Sequence, residues 1–394
     1  MLHIDKENKR VTVESGIIWD QIQHAISPFG LAVKAMQSDN IFTVGGSLAA
    51  NAHGRDTHFP TIIDSVLGFR FMLADGSVLS VTRNENPELF RNVIGGYGLF
   101  GIILDVDLSL LDDCVYEQSS TVIPLAALPE FFENQVRSNP AVELFVARPS
   151  ISPDCFLDHT IVTTWTRTER QRKHIFQLDH ERHVARDRFL FGLSRRYQWG
   201  KTLRWRAEKF FYGDGSAKSL VSRNNAMRPP VSAVKMLDHN SNKDTDAIQE
   251  FFIPISRFLN FMNGMRTALL EDRTNLLGVT LRYVGASRET SLPYAPDEDS
   301  FAVILYYNEI LSPQGRAKAD SLIDKLVRLA INCGGNFYLT YVRELDPALL
   351  RKAYPNLENF FAAKRAIDPA CRFTSRFFEH YAKPTPKTMS ASAG

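Results

Sequence analysis

Cysteine is scarce in the 394 residues, and Cys114, Cys155, Cys333 and Cys371 lie far apart with no CxxC and no metal-ligand spacing. That argues against a disulfide framework or a zinc site, and for reduced thiols. No run of 18 apolar residues is long enough to cross a bilayer, and no apolar h-region opens the sequence. The expectation is a cytoplasmic protein, at most peripheral to a membrane. Net charge is only +2, which excludes a general affinity for nucleic acid, so any basic patch must be local. Internal repeats, a P-loop and a Gly-x-Ser-x-Gly elbow are also missing. What is present is ordinary globular material, 44% hydrophobic and 23% charged, in a chain long enough for two domains.

The most informative stretch is Asn40 to Arg55, where Thr43-Val44 runs into Gly45-Gly46 and then into small residues as far as Ala52-His53-Gly54-Arg55. Adjacent glycines let backbone N–H groups converge on a ligand, and the alanines keep the next turn thin. A tight turn leading into a helix explains a bare Gly-Gly-Ser equally well. A second glycine cluster, Gly95-Gly96-Tyr97-Gly98-Leu99-Phe100-Gly101, follows some fifty residues on. It contains Gly96-x-Gly98-x-x-Gly101, formally a dinucleotide fingerprint. Its order is helix (Pro87 to Arg91), glycines, strand (Ile102 to Leu108), whereas the fingerprint needs strand, glycines, helix. A Rossmann reading is therefore rejected. Around these clusters the pattern predicts strands at Arg10 to Glu14, Leu31 to Ala35 and Ser65 to Leu73. It also predicts a helix over Trp19 to Ile26 and an Asp75-Gly76 hairpin back to Val78–Val81.

Phe42-Thr43-Val44-Gly45-Gly46-Ser47-Leu48-Ala49-Ala50-Asn51-Ala52-His53-Gly54-Arg55-Asp56, the hairpin, and Asn86 to Leu108 together resemble the second half of the FAD domain in the vanillyl-alcohol oxidase and p-cresol methylhydroxylase (PCMH) superfamily, nearest its decaprenylphosphoryl-ribose oxidase branch. Tyr354-Pro355-Asn356-Leu357, Lys364-Arg365, Asp368-Pro369 and Phe373 to Phe377 resemble that superfamily's closing segment. The resemblance implies an α+β chain: a PCMH-type FAD-binding domain over 1–111, a substrate or cap domain over 112–342, a return to the FAD domain over 343–382 and a disordered tail over 383–394. It implies flavin contacts at Thr43, Val44, Gly45, Gly46, Ala50, Asn51, Ala52, His53, Gly54, Ile103 and Tyr338. Arg55 stands where the ribose oxidases carry a lysine. The family's FAD domain opens with a further subdomain holding the pyrophosphate loop and the histidine that often links to the flavin. This sequence starts just after that loop, so the expectation is non-covalent FAD, or a flavin-free binding subunit.

The later part of the middle region predicts strand (Gln249 to Ile253), helix (Ser256 to Leu270), strands (Leu276 to Val284, Phe301 to Tyr307), helix (Arg316 to Ile331) and strand (Asn336 to Val342). This βαββαβ order is ferredoxin-like, an antiparallel sheet suited to a cap. Strands at Glu143 to Ala147 and Thr160 to Trp165, with a helix from Pro129 to Arg137, are expected to extend it. Glu250 stands where the ribose oxidases carry a glutamine and Tyr341 where they carry an active-site lysine, with Arg343 one alternation further on. Of the neighbours Arg282 and Tyr283, only one can face a site. The implied reaction is hydride transfer from an alcohol C–H to the flavin. Glu250 or Tyr341 would take the hydroxyl proton, and Arg55 or Arg343 would hold negative charge. The substrate would be a sugar or alcohol, including a lipid-linked sugar. No metal and no nucleic acid are expected, and oligomeric state is open. Residues 167–209 stand apart, with thirteen Lys/Arg against five Asp/Glu interleaved with Phe189, Phe191, Tyr197, Trp199 and Trp205. They read as a solvated helical arm, as a surface for anionic membrane or as a binding face for an acidic partner.

Overall fold

A computed structural model describes residues 1–170, 172–179, 184–212, 218–229, 241–341 and 344–382. Arg343 and the tail 383–394 therefore lie outside the described residues.

The first sheet comes from β1 (His3–Asp5), β2 (Arg10–Glu14), β3 (Leu31–Val33), β4 (Val66–Met72), β5 (Val78–Thr82) and β6 (Ile102–Asp112). Its order is β1-β2-β6-β4-β5, with β3 also paired to β6, and every pair is antiparallel. Period-2 alternation explains β2, where Val11 and Val13 are buried and their neighbours are not. Helix Trp19–Ile26 covers this sheet with Trp19, Ile22 and Ile26. The chain's last helices return to it: Phe360 packs on Phe100, Phe377 on Tyr97, and Arg372 Nη1 donates to the Ala74 carbonyl at 2.8 Å.

The second sheet has eight strands: β7 (Val115–Pro124), β8 (Val142–Pro149), β9 (His159–Thr168), β10 (Ser219–Ser222), β11 (Asp244–Pro254), β12 (Asn275–Val284), β13 (Ser300–Ile310) and β14 (Asn336–Phe337). Their order is β10-β7-β9-β8-β12-β13-β11-β14. The half β12-β13-β11-β14 is the ferredoxin-like unit that the sequence predicts. The half β10-β7-β9-β8 has the same strand order, so the earlier strands do more than extend the unit: they repeat its topology without repeating its sequence. The two units meet through β8 and β12, whose pairing is a single register pair, Leu281 with Ala147.

One expectation fails here. The strand predicted over Asn336 to Val342 is only Asn336–Phe337, because the chain turns immediately after and the Tyr341 N–H donates to the Tyr338 carbonyl at 3.3 Å. Tyr341 thus sits on a turn, and the alternation argument linking it to Arg343 has no strand beneath it.

Alternation decides the faces of the second sheet. Phe145, Phe251 and Phe301 point to the side covered by Phe132, Phe258 and Phe261. Glu250, opposite Ile304 and thence Thr280, points to the other side, as do Arg282 (opposite Ala302) and Tyr306. Since Leu281 pairs with Ala147, the next residues on, Arg282 and Arg148, also share the Glu250 face. Tyr283 stacks on Phe132 at 5.0 Å, on the opposite side.

Candidate functional site

The two glycine clusters meet. Thr43 caps helix Val44–Ala49, its hydroxyl accepting from the Gly46 N–H at 3.2 Å. The second cluster lies along that helix: Gly95 N–H donates to the Leu48 carbonyl at 2.9 Å and Tyr97 N–H to the Ala49 carbonyl at 2.8 Å. Between them runs a cavity of about 310 Å³, lined by Thr43, Gly45, Gly46, Ala49, Gly96, Gly98 and Ile103 among others. Glycine is required at two of these places. A Cβ on Gly96 would stand 1.9 Å from the Asn92 carbonyl oxygen, and Gly101 has φ +153° with the Met72 carbonyl oxygen 2.3 Å from its would-be Cβ. The lining is backbone and apolar side chain without a charged group, which suits a flat, largely apolar ring. Of the predicted flavin contacts, Thr43, Gly45, Gly46 and Ile103 line it; Val44 is buried in the core, and Ala50, Asn51, Ala52, His53, Gly54 and Tyr338 are not among its lining.

At the far end of the helix the chain leaves through Ala50 to Gly54. Asn51 takes a left-handed conformation, φ 44°. Two tyrosines of the second sheet's side clamp this exit. Tyr338 donates to the Ala50 carbonyl at 2.8 Å and Tyr294 to the Asn51 carbonyl at 2.9 Å. Ala52 N–H closes back onto the Ser47 carbonyl, and Gly54 passes so near Met36 that a Cβ would lie 2.6 Å from its carbonyl oxygen. His53, 4% exposed, is held among Phe252, Tyr294 and Tyr338, and its Nε2 is in hydrogen-bonded ion-pair contact with Oε1 of Glu250, itself 2% exposed. Thus Glu250 is no solvated strand residue. His53 Nδ1 and Asn51 Oδ1 are buried with no hydrogen-bond partner. Polar atoms buried in this way are available to a hydrogen-bonding partner at the seam.

Beyond the pair, the Glu250 face gathers Arg55, Arg148, Arg282, Asp39, Tyr306 and Tyr341, all half-buried. Arg55 is placed by backbone: Phe145 N–H donates to the Arg55 carbonyl and Thr57 N–H to the Glu143 carbonyl, so residues 55–57 lie along β8 where β8 and β12 part. Burial first, then the Arg282 charge, pushes the Arg55 guanidinium down to about 9, which leaves it cationic at neutral pH. Burial raises Asp39, against the pull of Arg282 and Arg55. Burial also raises the Tyr341 hydroxyl, with the Glu250 charge adding to it, so Tyr341 stays protonated at neutral pH and has a proton to donate in a hydrogen bond. Arg148 and Tyr306 escape a sequence reading because only strand register brings them to this face, and Asp39 because it lies on the loop between β3 and helix Val44–Ala49.

A cleft of backbone and small residues thus lies against an antiparallel sheet, with a buried His–Glu pair at the seam. A family model described as "FAD binding domain" matches residues 1–82. Similar proteins are mitochondrial L-galactono-1,4-lactone dehydrogenase of Arabidopsis thaliana (32% identical, 27% of this chain and 18% of the relative) and L-gulonolactone oxidase of Mus musculus (32%, 27% and 24%). Decaprenylphosphoryl-beta-D-ribose oxidase of Mycolicibacterium smegmatis is similar too (31%, 27% and 24%). These matches agree with the resemblance to FAD-linked oxidases over the first part of the chain, and the match spans less than a quarter of the length of these relatives.

Proposed function

We propose that the protein is an FAD-dependent oxidoreductase that oxidises a CH–OH group of a carbohydrate or lipid-linked sugar. The observation that carries this reading is the buried His53–Glu250 pair, set at the end of a glycine-walled cleft with orphaned polar atoms facing the same interior. Bound FAD would supply the hydride-accepting N5 of its flavin. Thr43, Gly45, Gly46, Ala49 and Ile103 would hold the ring system through backbone and apolar contact, and Asn51 and His53 would meet its polar edges. Glu250 takes the proton from the substrate hydroxyl, and His53 fixes the carboxylate that does so. Tyr341, protonated at neutral pH, donates to the substrate oxygen and takes no proton. Arg55 supplies positive charge to the same chamber. The purified protein, supplemented with FAD and desalted, should show the visible flavin bands. A colourless protein after that treatment overturns the reading and leaves a flavin-free binding subunit.

The same reading puts the protein on the cytoplasmic side of a membrane surface. Its support is the helix pair Val184–Arg196 and Gln198–Tyr212, which carries eight Lys/Arg against two Asp/Glu. Phe189 (66% exposed), Trp199 (56%) and Phe210 (82%) stand among exposed arginines, the combination that anchors at anionic headgroups. No helix among the described residues is long and apolar enough to cross a membrane. All four cysteines are free thiols. Flotation with anionic vesicles should recover the protein at low salt. Recovery should fall several-fold in a Phe189→Ser, Trp199→Ser, Phe210→Ser variant, whose side chains face solvent and whose fold should persist. Equal recovery of both proteins would remove the membrane reading.

A further inference from the structure

The loop 285–299, between β12 and β13, belongs to the second sheet yet docks on the side of the first. Its two ends are tied through Asp299, whose Oδ1 accepts from the Ala286 N–H at 2.8 Å and whose Oδ2 accepts from the Tyr283 hydroxyl at 2.9 Å. Its middle crosses to the helix that leads into the second glycine cluster: Ser291 N–H donates to the Arg91 carbonyl at 3.0 Å, and the Ser291 hydroxyl donates to Asn92 Oδ1 at 2.7 Å. Arg83 Nε donates to Glu289 at 2.6 Å, and Asn356 Nδ2, from the closing segment, donates to the Ser291 carbonyl at 3.0 Å. A loop fastened at this many points holds the side chain it delivers in one place before any ligand arrives. That side chain is Tyr294, 5% exposed.

Tyr294 touches both halves of the His53–Glu250 pair. Its ring stacks on Phe252 at 4.1 Å and 14°, and Phe252 is two residues beyond Glu250 on β11, hence on the same face. Its hydroxyl donates to the carbonyl of Asn51, the left-handed residue two positions before His53. The His53 ring lies edge-on to Tyr294 at 6.2 Å. Together with Tyr338, Phe252, Val284, Ala295 and Ala302 it forms a small apolar cluster separate from the main core. We propose that Tyr294 is a positioning residue: by holding the 51–53 turn through its hydroxyl and the Glu250 strand through its ring, it sets the alignment of His53 Nε2 on the Glu250 carboxylate. What that alignment serves, the transfer of a substrate hydroxyl proton to Glu250, rests on the oxidoreductase reading above; the clamp itself does not. Tyr294→Phe keeps the stack and leaves the buried Asn51 carbonyl without this donor, so the turn opens more often while the loop stays fastened.

The proton between His53 Nε2 and Glu250 should give a far-downfield line in the proton NMR spectrum of the full chain, identified by its loss in Glu250→Ala. In Tyr294→Phe that proton should exchange with water at least about tenfold faster, the scale of one lost buried hydrogen bond. Exchange of the Ala52 and Gly54 amides, which donate to the Ser47 and Pro60 carbonyls at 2.9 Å, should quicken in step. Tyr294→Leu, which loses the stack as well, should release the proton faster still. Tyr381→Phe is the structural control, a buried tyrosine whose hydroxyl accepts from the Leu345 N–H at 2.7 Å; it should lower the unfolding midpoint and leave the line as in the wild type. A line unchanged in Tyr294→Phe, or moved equally by both Phe variants, overturns the positioning role and leaves a core tyrosine. So does the absence of such a line from the wild type, since no tight pair would then exist to be aligned. Visible spectra of FAD-supplemented samples keep the two ideas apart: flavin retained with exchange unchanged sinks the clamp alone, whereas a colourless wild type with faster exchange in Tyr294→Phe sinks the oxidoreductase reading and supports the clamp.

Discussion

Glu250→Gln in the flavin-loaded protein is expected to lower the rate of anaerobic flavin reduction by substrate by about 10²-fold or more, the scale of a lost general base. Its stability should change little, because the amide oxygen still occupies the place of Oε1 against His53. Glu250→Ala should lose the same rate and also about 1–3 kcal/mol of stability, since His53 would then have both ring nitrogens buried without partners. The pair of variants separates chemistry from scaffolding, with stopped-flow reduction reading the first and denaturant unfolding the second. Bleaching at the wild-type rate in Glu250→Gln would remove the proton-accepting role. The ribose oxidases carry glutamine at this position by resemblance, so that outcome would move this chain's base to another group and leave the cleft untouched.

Much of the frame was legible because it depends on local rules. Alternation found β2 and β6, helical spacing found Trp19–Ile26, and Asp75-Gly76 found the hairpin between β4 and β5. The helix–glycine–strand order that excluded a dinucleotide fingerprint is the order observed. Gly45-Gly46 was legible as a close approach, and it lies in the first turn of a helix facing the second cluster. What stayed hidden is non-local. Nothing in the sequence pairs Glu250 with His53 across 197 residues. The matching topology of β10-β7-β9-β8 lies in strand order, and the register that puts Arg148 beside Arg282 depends on one pair at the join of two units. Tyr341 was misplaced for the opposite reason: Asn336 to Val342 has strand composition, but the tertiary clamp on Tyr338 turns the chain after Phe337.

Arg223 is where that non-local order is held, and Arg223→Met should be the most destabilising single change in the molecule. Its side chain is 1% exposed. Nη2 donates to Asp56 at 2.5 Å and to the Lys34 carbonyl at 2.6 Å, Nη1 donates to the Tyr116 hydroxyl at 2.7 Å, and Nε donates to the Val33 carbonyl at 3.1 Å. Glu143 lies 3.4 Å from Nη1. One guanidinium thus ties β3 of the first sheet, the 55–57 segment, and β7 and β8 of the second. Its neighbour Asn224 extends the tie, with Nδ2 donating to the Leu31 carbonyl and to Asp113. Removing it leaves buried Asp56 without its countercharge, held only by the His58 and Phe59 N–H groups on Oδ1, a loss of about 3–5 kcal/mol, whereas replacing an exposed arginine such as Arg288 should change stability by less than about 1 kcal/mol. Because residues 55–57 carry Arg55 into the chamber, partial unfolding of Arg223→Met in denaturant should be accompanied by loss of added FAD before loss of secondary structure. Coincident transitions by both probes would show instead that the two sheets unfold as one cooperative body, with Arg223 stabilising the whole and positioning nothing.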